Sequence, residues 1–249
     1  MSEALQQAAG ERLRRALAAL TRTPLTGALA GMVVTAVMQS SSATTVMVIG
    51  FVSAGLLELP QAVAVIFGAN IGTTVTAQLL AFRVEEMLGL VLFGGFFLCA
   101  VARTKRGRQM GTAVFSFGLL FAGMEQIQSV VEPLALRPEF EAWMAQVREK
   151  PLWGLLLGLG MTLVVQSSSA TIGVLQGVAR QAGPDGVHSL LGLAGAVPVL
   201  LGDNVGTTIT AILAAAGGTR DAKRAAAAHC CFNLSGSLVC LLALPWFVR

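Results

Sequence analysis

One hexapeptide occurs twice in this chain, as Gln39-Ser40-Ser41-Ser42-Ala43-Thr44 and as Gln166-Ser167-Ser168-Ser169-Ala170-Thr171. Both copies lie inside long apolar stretches. Unpaired polar groups in hydrocarbon are costly, so a membrane segment holds such a cluster of hydroxyls and amides only for a reason. Two clusters in two halves of one chain predict a transporter built from a repeat, with a polar site at its middle.

The composition predicts an all-α polytopic membrane protein. Of the 249 residues, 55% are hydrophobic and only 12% are charged, whereas about 25% charged residues are usual in soluble domains. Several apolar stretches exceed the roughly 20 residues that a membrane-spanning helix needs. The apolar stretches are 25–57, 59–82, 87–102, 110–124, 151–179, 187–216 and 225–248.

The charged and sulfur-containing residues argue against several other classes of protein. The net charge of +4 comes from basic residues in short loops and does not indicate nucleic-acid binding. No Cys/His pair, metal cluster or pair of carboxylates converges on the apolar segments, so we expect neither an enzyme nor a transition-metal site. The cysteines lack metal-ligand spacing and are interpreted as small buried hydrophobic residues; they are Cys99, Cys230, Cys231 and Cys240.

A second block also recurs. Residues 68–77 (the first block) read GANIGTTVTA, residues 202–211 (the second block) read GDNVGTTITA, and seven of the ten positions are identical. Upstream of each hexapeptide, matched small residues step by four and therefore share one helix face. We expect this face to form a small-residue groove, with its threonines packing rather than binding a ligand. The matched pairs are Gly27 and Gly154, Gly31 and Gly158, and Thr35 and Thr162.

The distribution of Lys and Arg predicts that the two repeats, residues 1–109 and 110–249, have inverted topology. The positive-inside rule places the N-terminal, 103–108 and 220–224 segments in the cytoplasm and the 83–86 and 132–150 loops outside. Corresponding points then face opposite sides of the membrane. One apolar piece in each repeat must be re-entrant or broken, and we expect the breaks in the Gly-rich and hydroxyl-rich motifs. We expect a multi-pass protein of the cell inner (plasma) membrane.

Two further helices are predicted between the repeated motifs. An apolar helix over about 111–124 precedes the second hexapeptide. The first hexapeptide has no counterpart, so we expect the first repeat to lack its leading helix. Residues 139–150 are predicted to form a surface helix on the outer face.

The paired motifs resemble those of the sodium–phosphate cotransporter family, the type II group of bacteria and animals. That family carries a QSSSATT-type motif in each of two inverted repeats, each followed by a GANIGTTVT block. The segment Lys223 to His229, followed by Phe232-Asn233, also resembles the family, and the resemblance covers about residues 24–240. It implies sodium-coupled transport of inorganic phosphate by alternating access. We expect a bacterial member reduced to a bare transport core, without a soluble regulatory domain.

Two departures from the repeated pattern change the chemistry of a position. Asp203 stands in the second block where the first has Ala69, and Ile172-Gly173 stands where the first copy has Thr45-Val46. Asp203 is the only acidic residue of its apolar stretch, and an intramembrane carboxylate suggests cation binding or coupling. The other interpretation is a carboxylate that caps a half-helix.

Because no Lys or Arg lies near the motifs, neutral donors must bind the phosphate that the resemblance implies. A helix broken at the hexapeptide presents free N–H groups and a positive dipole end to an anion, and serine hydroxyls add donors. The alternative is that the serines bond back to helix carbonyls. The predicted phosphate ligands are Gln39, Ser40, Ser41, Ser42, Gln166, Ser167, Ser168 and Ser169.

Sodium, the expected co-substrate, requires oxygen ligands. Amide carbonyls, hydroxyls and the Asp203 carboxylate can supply them, and no other cofactor is expected. For His229 we expect packing or an interfacial hydrogen bond rather than a proton relay. The predicted sodium ligands are Gln39, Asn70, Thr73, Thr74, Gln166, Asp203, Asn204, Thr207 and Thr208.

Three alternatives remain open at this point. The same fold could carry another oxyanion, or could couple phosphate to protons with Asp203 as the proton carrier. A non-transporting membrane scaffold or sensor is the third. The predicted partners are inorganic phosphate, sodium ions and the lipid bilayer, and small-residue helix faces permit a homodimer without requiring one.

Overall fold

The structure is a computed structural model and describes residues 19–81, 87–183 and 186–248. The sequence-based predictions for residues 1–18 and for the 83–86 loop lie outside these ranges. Within them the chain is α-helical and contains no β-strand, as expected. The helices are α1 (Pro24–Met38), α2 (Ser41–Ser53), α3 (Leu59–Ala81), α4 (Leu88–Val101), α5 (Lys105–Ala135), α6 (Pro138–Glu149), α7 (Pro151–Val165), α8 (Ser168–Arg180), α9 (Gly192–Gly206), α10 (Thr208–Ala215) and α11 (Arg220–Phe247).

Helix lengths and apolar character identify an integral membrane protein. In the described part of the chain, four segments are long and apolar enough to cross a membrane: Leu59–Leu79, Lys105–Ala135, Gly192–Ala215 and Arg220–Trp246. Shorter apolar helices lie on both sides of the first hexapeptide and before the second. At about 1.5 Å per residue, the 15 residues of α1 or α7 reach roughly 22 Å, which is less than the roughly 30 Å of hydrocarbon. These helices are therefore too short to cross the hydrocarbon on their own.

The described chain forms two compact units. One contains residues 19–78, 147–172 and 193–248, and the other contains residues 79–81, 87–146, 173–183 and 186–192. Both hexapeptides and both blocks belong to the first unit, which therefore carries the candidate site. In the second unit, α4 and α5 pack so closely that a Cβ on Gly95 would lie 2.4 Å from the Phe115 backbone nitrogen.

Glycines bring α1 against α3 and α7 against α9. A Cβ on Gly31 would lie 1.9 Å from the Val65 carbonyl oxygen, and one on Gly158 would lie 1.9 Å from the Val199 oxygen. Approaches this close are possible only without a side chain. The small-residue faces upstream of the hexapeptides thus receive the helices that carry the two blocks.

A hydrophobic core joins the helix after the first hexapeptide to the helices after the second block. Buried residues of α2 and α3, such as Ile49 and Ile66, pack with Ala211 of α10 and Ala225 of α11. This packing fixes the position of α2, which begins at the first hexapeptide, relative to α10 and α11.

The structure confirms some of the predicted helix breaks and contradicts one. Helices end and restart within both hexapeptides, as expected. The first block, by contrast, lies inside the unbroken α3, and the second is interrupted only at Thr207, between α9 and α10. Within α3 the Thr73 and Thr74 hydroxyls donate to the Ala69 and Ile71 carbonyls of the same helix.

The two helices predicted between the repeated motifs are present. The helix expected over 111–124 is longer and forms α5, and the expected surface helix forms α6. The division into repeats at residues 109 and 110 stays a prediction.

Candidate functional site

Each hexapeptide places its glutamine at a left-handed turn. Gln39 has φ 54° and ψ 28°, and Gln166 has φ 54° and ψ 25°. Their backbone N–H groups donate to the Thr35 and Thr162 carbonyls, both at 2.7 Å. This conformation costs a residue with a side chain roughly 1–2 kcal/mol. The same unfavourable conformation at both matched positions points to a functional constraint.

The first serine of each hexapeptide caps the helix that follows. Ser40 Oγ accepts from the Ala43 N–H at 3.2 Å, and Ser167 Oγ accepts from the Ala170 N–H at 3.3 Å. A capping hydroxyl accepts from the backbone and keeps its own O–H proton for another partner. Two of the six serine hydroxyls are therefore partly used by the fold.

The next two serines of each hexapeptide remain available to a ligand. The N–H groups of Ser41 and Ser42 begin α2, those of Ser168 and Ser169 begin α8, and such first-turn groups lack an intrahelical acceptor. Among the described residues, the four side-chain hydroxyls have no hydrogen-bond partner. Ser41 and Ser168 are each only 8% exposed. Buried donors at a helix N-terminus form an arrangement that suits an anion.

Buried threonines join the two helices on either side of each break. The Thr35 hydroxyl donates to Thr44 Oγ1 at 3.0 Å, and Thr162 Oγ1 and Thr171 Oγ1 are 3.1 Å apart. These contacts support the packing interpretation for Thr35. Thr44 and Thr171 were not singled out from the sequence, although they end the repeated hexapeptide.

Asp203 joins the threonine pair of the second copy. It is 1% exposed, its Oδ1 accepts from the Thr162 hydroxyl at 2.5 Å, and its Oδ2 is buried without a partner in the described chain. Asp203 lies in the last turn of α9, not at a helix N-terminus, so the capping interpretation does not describe it. A buried carboxylate oxygen without a donor is a site at which a cation or proton would be stabilised.

The two block asparagines have different surroundings. Asn70 Nδ2 donates to Asn233 Oδ1 at 3.0 Å, and Asn70 Oδ1 lies 3.2 Å from His229 Nε2. Asn204, the counterpart of Asn70, is exposed. His229 therefore makes a buried interhelical hydrogen bond. Asn233 was missed from the sequence as a site residue, although it lies four residues after His229 on an apolar helix.

The block threonines bond to their own helices. Thr207 and Thr208 donate to the Asn204 and Val205 carbonyls at 2.8 and 2.7 Å, as Thr73 and Thr74 do in the first block. A hydroxyl that donates its proton keeps oxygen lone pairs, so all four can still ligate a cation.

The hydrogen bonds described for each hexapeptide stay within that copy of the motif. Among the described bonds of the threonine pairs, the one from Thr162 to Asp203 reaches a block. The Gln39 side chain is also local, since its Nε2 donates to the Ala36 carbonyl. No group of three or more His, Cys, Asp or Glu side chains that could hold a metal ion occurs in the described ranges. The donors present are amides, hydroxyls and one carboxylate, which suit a hard monovalent cation rather than a transition metal.

Comparison with known proteins assigns the chain to a family. The model of the Na+/Pi-cotransporter family matches residues 1–129 and again residues 130–244. The chain belongs to this family. It is thus a member of a transporter family, as the paired motifs suggested, and phosphate transport is the activity associated with that family.

Three relatives align with different shares of this chain and of their own length. The uncharacterized protein YqeW of Bacillus subtilis is 33% identical over 225 residues, 90% of this chain and 71% of the relative. The putative inorganic phosphate export protein YjbB of Escherichia coli is 28% identical over 232 residues, 93% of this chain but only 41% of the relative. Sodium-dependent phosphate transport protein 2A of Ovis aries is 44% identical over 63 residues, 25% of this chain and 10% of the relative. No solved structure matches the chain.

Proposed function

We propose that this protein carries inorganic phosphate across the membrane with sodium as co-substrate, by alternating access of two inverted repeats. The observation that carries the proposal is the pair of matched helix breaks at Gln39 and Gln166, each followed by a helix whose first residue, Ser41 or Ser168, is buried. The sheep relative is named for sodium-dependent phosphate transport and the E. coli relative for putative phosphate export. Those names support the substrate and the coupling ion but leave the direction of transport open.

Phosphate would be bound without a fixed cationic side chain. The N–H groups and hydroxyls of Ser41, Ser42, Ser168 and Ser169 are the donors that the fold leaves unused. Neutral donors and helix dipoles bind an anion reversibly. Such a site permits the release that a carrier requires.

Sodium would bind to the oxygens around Asp203 and the block residues. Asp203 Oδ2 is buried without a donor, and a cation there would compensate the carboxylate. A bound cation would also offset the charge of phosphate, so each ligand would strengthen the binding of the other. Coupling follows from this mutual dependence.

The decisive experiment measures uptake of radiolabelled phosphate into proteoliposomes, with and without an inward sodium gradient. We compare the wild type with the double variant Ser41→Ala, Ser168→Ala. The matched control is Ser129→Ala with Ser235→Ala, because both are exposed helix serines that bond only to their own helix. We expect sodium-dependent uptake in the wild type and the control and its loss in the double variant.

The same vesicles separate the alternative functions. Uptake that follows a pH gradient and ignores sodium would replace sodium by protons, with Asp203 as the carrier. Equal transport of sulfate or arsenate would broaden the substrate to oxyanions in general. A purified chain that neither transports nor binds phosphate or sodium would instead be a membrane scaffold or sensor.

A further inference from the structure

Helix α11 carries a buried polar stripe that the proposed ligand set does not include. His229, Asn233 and Ser237 are spaced four residues apart and therefore lie on one helix face. They are 3%, 7% and 3% exposed. The other faces of this helix expose large apolar side chains such as Leu238 and Leu242. Polar side chains are expensive at membrane depth and are retained there where they have specific partners.

The stripe connects α11 to both block helices. His229 and Asn233 contact Asn70 in α3, and the Ser237 hydroxyl donates to the Leu201 carbonyl of α9 at 3.2 Å. The Phe67 and Phe232 rings stack beside the Asn70 contact with centroids 4.1 Å apart. The aromatic stack fixes the distance between α3 and α11. Asn70 is thus held by the helix that follows the other block.

The Asn70 amide faces Asn233 with its NH2 group and His229 with its oxygen, and Asn233 Nδ2 is buried without a partner in the described chain. Asn233 Oδ1 can only accept, so it takes the Asn70 NH2 group, and Asn70 Oδ1 then faces His229 Nε2. In the tautomer protonated at Nε2, His229 donates to one lone pair of that oxygen, and its Nδ1 is a buried acceptor without a partner in the described chain. The other lone pair remains for a cation. Without the two partners the amide could rotate by half a turn and present its NH2 group instead.

We propose that His229 and Asn233 are positioning residues, which hold the Asn70 carboxamide with its oxygen oriented to coordinate sodium. The inference rests on the proposed sodium-coupled transport and adds two residues to its machinery. They act through Asn70 and do not touch the ion. Partners of this kind typically change metal affinity by about 10- to 100-fold when they are removed.

A double-mutant cycle tests the proposal in proteoliposomes made from the full chain. The variants are His229→Leu, Asn70→Ala and the two combined, and the readouts are the KM for sodium, the maximal rate and the thermal midpoint. We expect His229→Leu to raise the sodium KM by about tenfold and to change the maximal rate less. In the Asn70→Ala background the same change should add nothing. His229→Gln, which retains a donor, should recover part of the affinity.

Two further variants provide a second test of the positioning role and a control. Asn233→Ala removes the other partner and should also raise the sodium KM, so the cycle can be completed even where His229→Leu does not fold. Ser235→Ala, an exposed position on the same helix, is the control and should transport like the wild type. The thermal midpoints report any general loss of structure, which would lower the maximal rate without the specific change in sodium KM.

The outcomes distinguish this inference from the proposed function. A wild type without sodium-dependent uptake overturns both. A sodium-dependent wild type with unchanged sodium KM in the His229 and Asn233 variants overturns the positioning role alone. A rise in KM that is as large with Asn70→Ala as without it overturns the role as well, because the two side chains would then act independently of Asn70.

Discussion

The Thr162 hydroxyl donates to Asp203 Oδ1 at 2.5 Å while it also contacts Thr171 Oγ1 at 3.1 Å. At the matched position of the first copy, the Thr35 hydroxyl bonds to Thr44 and meets no carboxylate, because the first block has Ala69 where the second has Asp203. Thr35 therefore joins two helices. Its counterpart Thr162 joins two helices and also donates to a buried carboxylate.

Replacing Thr162 should destabilise the fold more than replacing Thr35. Thr162→Val removes the hydrogen-bond donor of Asp203, whose Oδ2 already lacks one, and a buried polar group left unpaired costs about 1–3 kcal/mol. Thr35→Val is the matched control, since it removes only a contact between hydroxyls. The measurement is thermal unfolding of the purified protein in detergent. Equal midpoints for the two variants would contradict the role assigned to Thr162.

Asp203→Ala should remove the sodium dependence of phosphate uptake. The change deletes the single buried carboxylate oxygen pair of α9, so the cation loses its charged ligand, and we expect at least about a tenfold fall in sodium-dependent rate. Asp221→Ala is the control, because Asp221 is exposed and paired with Arg224. Sodium-driven uptake that survives in Asp203→Ala would exclude this residue from the cation site.

Gln39→Gly separates the conformation of the helix break from the chemistry of the amide. Glycine adopts φ near 54° without the cost that glutamine bears, so the variant should unfold at the same or a higher temperature. Its phosphate uptake should nevertheless fall about tenfold, because the amide is lost. Normal transport by this variant would show that the glutamine serves only the turn.

Gly158→Ala should disrupt the packing of α7 on α9. The new methyl group would meet the Val199 carbonyl oxygen at 1.9 Å, and overpacking of this kind costs about 1–3 kcal/mol. Gly160 lies two residues further along the same helix, and a Cβ added there would have no neighbouring atom within 4 Å. Gly160→Ala should therefore be neutral or slightly stabilising. The comparison is made by thermal unfolding, and similar losses in the two variants would refute the close approach.

The positive-inside assignment predicts opposite labelling of two loops. In a variant whose cysteines at 99, 230, 231 and 240 are replaced by serine or alanine, Glu139→Cys should react with an impermeant maleimide in intact cells. Arg106→Cys should react only after the membrane is opened, because the 103–108 segment is predicted to be cytoplasmic. Both positions are exposed at the surface of the protein. Labelling of both positions from outside would contradict the predicted topology.

The sequence predicted the helix breaks at the hexapeptides because their signal is local. Glutamine followed by consecutive serines ends one helix and caps the next within a few residues. The break expected in the first block was wrong, since α3 is continuous there and Gly68 packs beneath the Ala28 carbonyl. Hydroxyl-rich sequence alone does not distinguish a broken helix from a continuous one.

The long-range contacts could not be predicted in the same way. Asn233 lies 163 residues from Asn70, and a single amide on an apolar helix carries no local sign of its partner. The polar spacing of His229, Asn233 and Ser237 was present in the sequence and indicates a buried face. The helix that this face meets is known only from the fold.

The difference between Ala69 and Asp203 bears on the energetics of the whole cycle. If two identical inverted repeats exchanged conformations, the outward-facing and inward-facing states would be related by a twofold axis in the membrane plane and would have equal free energy. Here one copy carries a buried carboxylate held by Thr162, and the other carries a methyl group. The empty carrier would then have a preferred resting side, and cation binding would be the step that releases it.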